Sequence, residues 1–141
     1  FRHVHLGVAV DTERGLMVPT LRCADTKSLN EISAEAKALA KACRDNSVSP
    51  SALAGATITV TNLGNTGISS FTPVINPPES AILAVCRTVD KPVVVGGQIV
   101  IRPMCNCVLA FDHRIIDGAV GAKYMARFRE LMENPVLLLI G

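Results

Sequence analysis

The pair Gly96-Gly97, set between Pro92-Val93-Val94-Val95 and Gln98-Ile99-Val100-Ile101, constrains this chain more than any other feature. Two glycines between β-branched runs are the signal of a two-residue hairpin, whose turn needs positive φ at both central residues. An antiparallel strand pair is therefore expected. Further strands stand beside it: residues 80–89 read as a fully buried strand, and residues 104–111 as another. Nearer the start, residues 3–10 alternate, with Val4, Leu6, Val8 and Val10 on one face, and predict a single strand. Thr12-Glu13-Arg14-Gly15 supplies a turn, and Leu16-Met17-Val18 a short second strand stopped by Pro19. Residues 56–61 are β-branched and run into Asn62-Leu63-Gly64-Asn65-Thr66-Gly67, a loop in which the backbone turns sharply. Residues 73–78 are extended and bounded by prolines.

Two helices complete the pattern. Ser28-Leu29-Asn30-Glu31 matches the capping box, in which the serine hydroxyl and the glutamate carboxylate each satisfy an orphan amide. Ile32, Ala36, Leu39, Ala40 and Cys43 follow at helical spacing, and the helix is expected to end near Asp45-Asn46. Residues 118–133 form the second helix, with Val120, Tyr124, Phe128 and Leu131 as its apolar stripe, Met125 and Met132 beside it, and Asn134-Pro135 as its stop. The sum is one α/β domain, helices on a mostly antiparallel or mixed sheet.

Composition decides between classes. The chain has 141 residues, enough for one core. Its 49% apolar content, 18% charged content and mean hydropathy of +0.36 leave more apolar surface than one small core buries. A membrane span needs about 20 consecutive apolar residues, whereas no run here exceeds the six of residues 81–86, and that at 136–140 has five. A large protein interface is the remaining explanation. With a scattered net charge of +2, one tyrosine and four phenylalanines, there is no basic, aromatic surface of the kind nucleic acids use. Residues 1–11 do not have the pattern of a signal peptide.

The cysteines, Cys23, Cys43, Cys86, Cys105 and Cys107, are five in number and irregularly spaced, which is a poor disulfide framework and points to a reducing compartment. Cys105 and Cys107 share a strand face, yet no further ligand sits near them at a metal-site spacing, so all are expected to be buried free thiols and no metal is expected. His3 and His5 also share a face without a ligand set.

The stretch Phe111-Asp112-His113-Arg114-Ile115-Ile116-Asp117-Gly118 carries the chemistry. His113 ends a buried strand and is suited to proton exchange near neutral pH; it is either a general base or a hydrogen-bonded strand-end residue. Asp117 either orients it or caps the following helix. Thr61, at the end of another strand with Asn62 and Gly64 behind it, is either a hydroxyl donor to an oxyanion or an ordinary strand threonine. No nucleophile elbow, phosphate loop or dinucleotide fingerprint is present.

The same stretch resembles the DHRxxDG signature of the dihydrolipoyl acyltransferases, the core components of 2-oxoacid dehydrogenase complexes. Three other segments are similar to that family: Gly7-Val8-Ala9-Val10-Asp11-Thr12 with Gly15-Leu16-Met17-Val18-Pro19, Thr59-Val60-Thr61-Asn62-Leu63-Gly64, and Pro73-Val74-Ile75-Asn76-Pro77-Pro78-Glu79-Ser80-Ala81-Ile82-Leu83. The resemblance implies the two-layer fold of CoA-dependent acyltransferases, with a mixed sheet and helices packed on one face, shared with chloramphenicol acetyltransferase. It also implies that residues 1–141 are the C-terminal part of a catalytic domain, lacking its N-terminal elements and any lipoyl or peripheral-subunit-binding domain.

The implied reaction transfers an acyl group, acetyl as the leading expectation, between a dihydrolipoyl-lysine thioester and coenzyme A. His113 is then the general base, Thr61 the oxyanion donor where many relatives have serine, and Asp117 a holder of the turn. Asn62, Gly64 and Phe71 are implied substrate contacts. Coenzyme A enters as a substrate and the lipoyl group rides on a separate domain. The resemblance further implies a homotrimer built into a cage-like core, with Thr61 and His113 of different subunits meeting at the interface. The decarboxylase and dihydrolipoyl dehydrogenase of the complex are the implied partners, and a bacterial cytoplasm or a mitochondrial matrix the implied location. The alternatives are a non-catalytic core fragment and a chloramphenicol acetyltransferase-type enzyme.

Overall fold

A computed structural model describes residues 2–138; Phe1 and the end of the apolar run at 136–140 lie outside the described residues. In chain order the elements are β1 (Leu6–Val8), β2 (Val10–Thr12), β3 (Gly15–Met17), β4 (Thr20–Leu21), α1 (Leu29–Arg44), β5 (Ile58–Asn62), β6 (Ala81–Val95), β7 (Gln98–Phe111) and α2 (Gly118–Glu133). The main sheet runs β4-β1-β5-β6-β7, and β2 with β3 forms a separate hairpin. β1, β5 and β6 are parallel; β4 and β7 are antiparallel to their neighbours. The sheet is thus mixed, as expected. α1 packs against β2 and β4, and α2 against β7.

The expected strand over residues 3–10 is broken after Val8, and its second half pairs with β3 rather than with the main sheet. Its alternation also misleads. Val4 is exposed, and the buried position of β1 is Gly7. A Cβ on Gly7 would lie 2.4 Å from Thr59 Oγ1 on the paired strand, so only glycine lets β1 and β5 close there.

At the other edge, the four expected strand pieces are two long ones. Counting from the Gly96-Gly97 turn, where φ is 58° and 80°, Pro92 and Pro103 both fall at non-hydrogen-bonded positions. There a missing N–H points away from the partner strand, so the prolines do not end the strands. β5 pairs with β6 only as far as Val85, and beyond it β6 and β7 continue as a two-stranded arm. Val94, Ile99 and Ile101 on this arm are more than 70% exposed.

α1 begins as its sequence demands. Ser28 is the N-cap, its hydroxyl accepts from Glu31 N, and the Glu31 carboxylate accepts from Ser28 N. The expected stripe faces inward and ends on fully buried Cys43. α2 keeps its expected bounds but is rotated. Gly121 is its buried residue, with Met125, Phe128 and Leu131 half-buried, while Val120 and Tyr124 are 57% and 46% exposed. The reason is Phe111 on β7: its ring lies where a side chain on residue 121 would stand, with a Cβ there 2.4 Å from Cε1.

The core lies along β6, where Ala81, Ile82, Leu83, Ala84 and Cys86 are buried, together with Leu21, Thr59 and Cys43. All five cysteines are free, but Cys105 is exposed, contrary to expectation, because it sits where the arm leaves the sheet. Gly7→Ala is expected to destabilise the chain by about 1–3 kcal/mol, the usual cost of overpacking, seen as a lower midpoint in denaturant unfolding. An unchanged midpoint would mean that β1 and β5 separate freely at this point.

Candidate active site

His113 stands on a turn between β7 and α2 that is clamped from both ends. The Asp112 N–H donates to Ser80 O (2.9 Å), extending the β6–β7 ladder one step past Ala81 and Phe111. The Asp112 carbonyl accepts from Ile115 N (3.1 Å) and Ile116 N (3.0 Å). Its carboxylate takes Arg114 N (2.9 Å) and Arg114 Nε (2.9 Å to Oδ1, 3.0 Å to Oδ2), and pairs with Arg114 Nη2. Backbone and side chain of one aspartate thus set the turn. The His113 ring is exposed, makes no hydrogen bond among the described residues, and lies 6.0 Å from the Phe111 ring, tilted by 37°.

Asp117 is the N-cap of α2, and its carbonyl accepts from Val120 N and Gly121 N. Its carboxylate makes no capping hydrogen bond, so it serves through its backbone. Thr61 is half-buried at the C-terminal end of β5. Asn62 is turned to its own loop, its Oδ1 accepting from Gly64 N (2.8 Å). Gly64 opens a single 3-10 turn and lies against the Cys86 carbonyl, which a Cβ would approach to 2.9 Å. Phe71 is half-buried in the irregular segment that follows.

The pairing register decides which of these residues one chain brings together. Thr61 is level with Ala84, whereas His113 lies beyond Phe111, which is level with Ala81. β5 and β7 run in opposite directions, so their C-terminal ends are at opposite ends of the sheet. Four residues along a strand and two strand spacings across put Thr61 on the order of 15 Å from the start of the His113 turn. Within one chain the two side chains do not meet.

A cleft of about 740 Å³ lies beside the His113 turn, lined by Ile75, Pro77, Pro78, Glu79, Asp112 and Arg114, among others. None of these residues was expected from sequence as a site residue, and three of them are charged. Asp112 and Arg114 stood inside the motif, and their opposite charges two residues apart were the available signal. Glu79, a lone carboxylate in a proline-rich stretch leading to a buried strand, is 7% exposed. His3 and His5 take structural roles: His3 Nδ1 is 3.1 Å from Asp25 Oδ2, and His5 Nδ1 accepts from Cys23 N.

The hydrogen bonds from the Arg114 side chain and its backbone N–H hold the Asp112 carboxyl at about 2, below its ordinary 3.8. A carboxyl lowered in the folded state stabilises above its unfolded value and loses that contribution as pH falls through its folded one. The clamp is therefore whole above about pH 4 and opens towards about pH 2. Arg114→Gln is expected to return the Asp112 carboxyl towards 3.8, as read by NMR titration. A carboxyl that stays near its native value would assign the shift to the backbone amide alone.

The family model for the 2-oxoacid dehydrogenases acyltransferase (catalytic domain) matches residues 1–140. The dihydrolipoyllysine-residue acetyltransferase component of the pyruvate dehydrogenase complex of Staphylococcus aureus is 46% identical over 136 residues, 96% of this chain and 32% of that protein. Its Staphylococcus epidermidis counterpart is also 46% identical, over 96% of this chain and 31% of that protein. The chain thus spans about a third of the length of the curated relatives it matches. Among solved structures, the dihydrolipoamide acetyltransferase of Azotobacter vinelandii superposes with TM-score 0.95 at 40% identity, covering 99% of this chain and 57% of that one. A truncated catalytic core of the 2-oxoacid dehydrogenase multienzyme complex from Thermoplasma acidophilum follows, with TM-score 0.83 at 37% identity, 96% of this chain and 59% of that one. The fold is the CoA-dependent acyltransferase fold of these catalytic cores, and the chain belongs to the 2-oxoacid dehydrogenase acyltransferase family, matching its catalytic domain.

Proposed function

We propose that this chain transfers an acetyl group between dihydrolipoyl-lysine and coenzyme A in a 2-oxoacid dehydrogenase complex, with His113 as general base and Thr61 as oxyanion donor. The observation that carries the reading is the His113 turn: an exposed imidazole without a hydrogen-bond partner among the described residues, on a backbone clamped by Asp112 and Arg114. A histidine retained only for structure would spend its ring nitrogens on neighbours, as His5 does. A second support is spacing. The Azotobacter enzyme was probed in its catalytic mechanism at a serine, a histidine and an asparagine. Its serine and histidine are separated by as many residues as Thr61 and His113, and its asparagine follows the histidine as Asp117 follows His113.

In this mechanism His113 takes the proton of the coenzyme A thiol, which at a reference value near 8.5 is only a few per cent ionised at neutral pH. The thiolate attacks the thioester carbonyl, and the Thr61 hydroxyl donates to the oxyanion that forms. A new carbon–sulfur bond is made, the bond to the dihydrolipoyl sulfur breaks, and His113 returns its proton to that sulfur. Threonine keeps the donor that serine supplies and restricts its rotamer. Asp117 holds the turn through its backbone, and Asn62, Gly64 and Phe71 shape the approach to Thr61.

Because Thr61 and His113 lie at opposite ends of one sheet, the site is completed between subunits, in a homotrimer assembled into a larger core. The exposed apolar arm and the open Val120–Tyr124 face of α2 support such an interface, as does the cubic core described for a pyruvate dehydrogenase complex. The match to 57% of the Azotobacter chain supports reading these residues as part of a larger catalytic domain. The decarboxylase and dihydrolipoyl dehydrogenase of the complex are the proposed partners. Five free cysteines fit a reducing cytoplasm, and no helix among the described residues is long and apolar enough to cross a membrane.

Acetyl-CoA and dihydrolipoamide are the test substrates for the full-length chain. His113→Ala is expected to lower kcat by about 10²–10⁴, the usual contribution of a general base, and Thr61→Ala by about 10²–10³. Trimers assembled from a mixture of the two variants should regain about a quarter of the parental activity, since head-to-tail interfaces then create intact sites. No recovery on mixing would place both residues in one subunit's site. Turnover of chloramphenicol in place of dihydrolipoamide would replace the reading.

A further inference from the structure

We infer that Glu79 is a positioning residue that ties the strand carrying Thr61 to the support of the His113 turn; this deepens the function proposed above and rests on it. A carboxyl group buried to this degree is costly unless its oxygens are bonded, and Glu79 is 7% exposed. Both oxygens are used. Oε2 accepts from the Thr59 hydroxyl at 2.6 Å, and Oε1 from Asn76 Nδ2 at 2.9 Å. The Glu79 N–H also donates to Asn76 O (3.0 Å), so the loop Asn76-Pro77-Pro78-Glu79 is closed through backbone and side chain together.

The two ends of this link reach the two catalytic groups. Thr59, 1% exposed, sits two residues before Thr61 on β5, and the period of a strand puts both side chains on the same face. On the other side, Glu79 precedes Ser80, whose carbonyl receives the Asp112 N–H and so seats the His113 turn. Glu79 also lines the cleft beside that turn together with Asp112 and Arg114. Gly7 belongs to the device, because any side chain there would strike the Thr59 hydroxyl. An apolar residue at position 79 would fill the space at less cost in desolvation. What it would not do is fix the loop by two directional bonds to β5 and to Asn76. Since a catalytic geometry displaced by about 1 Å can lose on the order of 10² in rate, that fixation is worth more to turnover than to stability.

The experiment uses the full-length chain in its assembled state, with acetyl-CoA and dihydrolipoamide. In Glu79→Gln the amide oxygen still accepts from Asn76 and the amide nitrogen donates to a rotated Thr59 hydroxyl, so kcat is expected to stay within about threefold of the parent. Glu79→Met fills the same volume without acceptors and is expected to lower kcat about 10–100-fold, with KM for both substrates changed less than about twofold. Thr59→Val, which removes one bond at constant shape, should lower kcat in the same way, and the double variant should be no slower than Glu79→Met alone. Glu79→Met with parental kcat, or with a raised KM alone, would overturn the proposal. Loss of assembly in both Glu79→Met and Thr59→Val would do so too, by making the role purely structural. A parent chain that does not turn over removes the function and this inference together, whereas an active parent with an indifferent Glu79 removes only the inference.

Discussion

β6 is hydrogen-bonded on one side in parallel to β5 and on the other in antiparallel to β7, and the rest of the molecule follows from that change of direction. A wholly parallel sheet would deliver every strand end to one rim, where a single chain can assemble its own site. Here the C-terminal end of β5, with Thr61, and the C-terminal end of β7, leading to His113, are carried to opposite rims. Neither side chain reaches the other within a chain, which is why the proposed site is one completed between subunits. The apolar surplus in the composition fits the same proposal, since a domain that completes its site between subunits keeps apolar surface for the contact.

Rigidity around the His113 turn and β5 is supplied in two different ways. At the His113 rim, Asp112 gathers one backbone N–H, two further amides on its carbonyl, and the Arg114 guanidinium on its carboxylate. The ion pair is exposed on the arginine side and contributes little to stability by itself; its value is geometric, holding a short turn in one shape while leaving the imidazole free. A second hold is buried and runs from the start of β6, beside the same turn, to β5, through Asn76, Glu79 and Thr59. Burial makes each of those bonds harder to lose, because a polar group left unpaired there has no water to turn to.

Much of this was legible from local chemistry. The capping box at Ser28 and Glu31, the glycine turn at 96–97, the bounds of α2 and the motif around His113 each depend on residues within a few positions of one another. What was missed depends on partners far along the chain. The alternation over residues 3–10 did not show that the strand breaks after Val8, since the break reflects pairing of β2 with β3. The stripe Val120–Tyr124 and the line Gly121–Phe128 on α2 are both plausible faces in sequence. Phe111, from the preceding strand, chooses the second by filling the space over Gly121. Glu79 and Thr59 are 20 residues apart, and no local pattern joins them.

The sequence by itself therefore determined the two helices, the hairpin turn and the family, because capping, turn chemistry and motif spacing act over short stretches of chain. Only the tertiary structure decided which rim Thr61 and His113 each occupy, which face of α2 is buried, and what a buried carboxyl at position 79 holds. Those outcomes come from strand direction and from contacts between distant segments, and neither leaves a periodic trace in the order of residues.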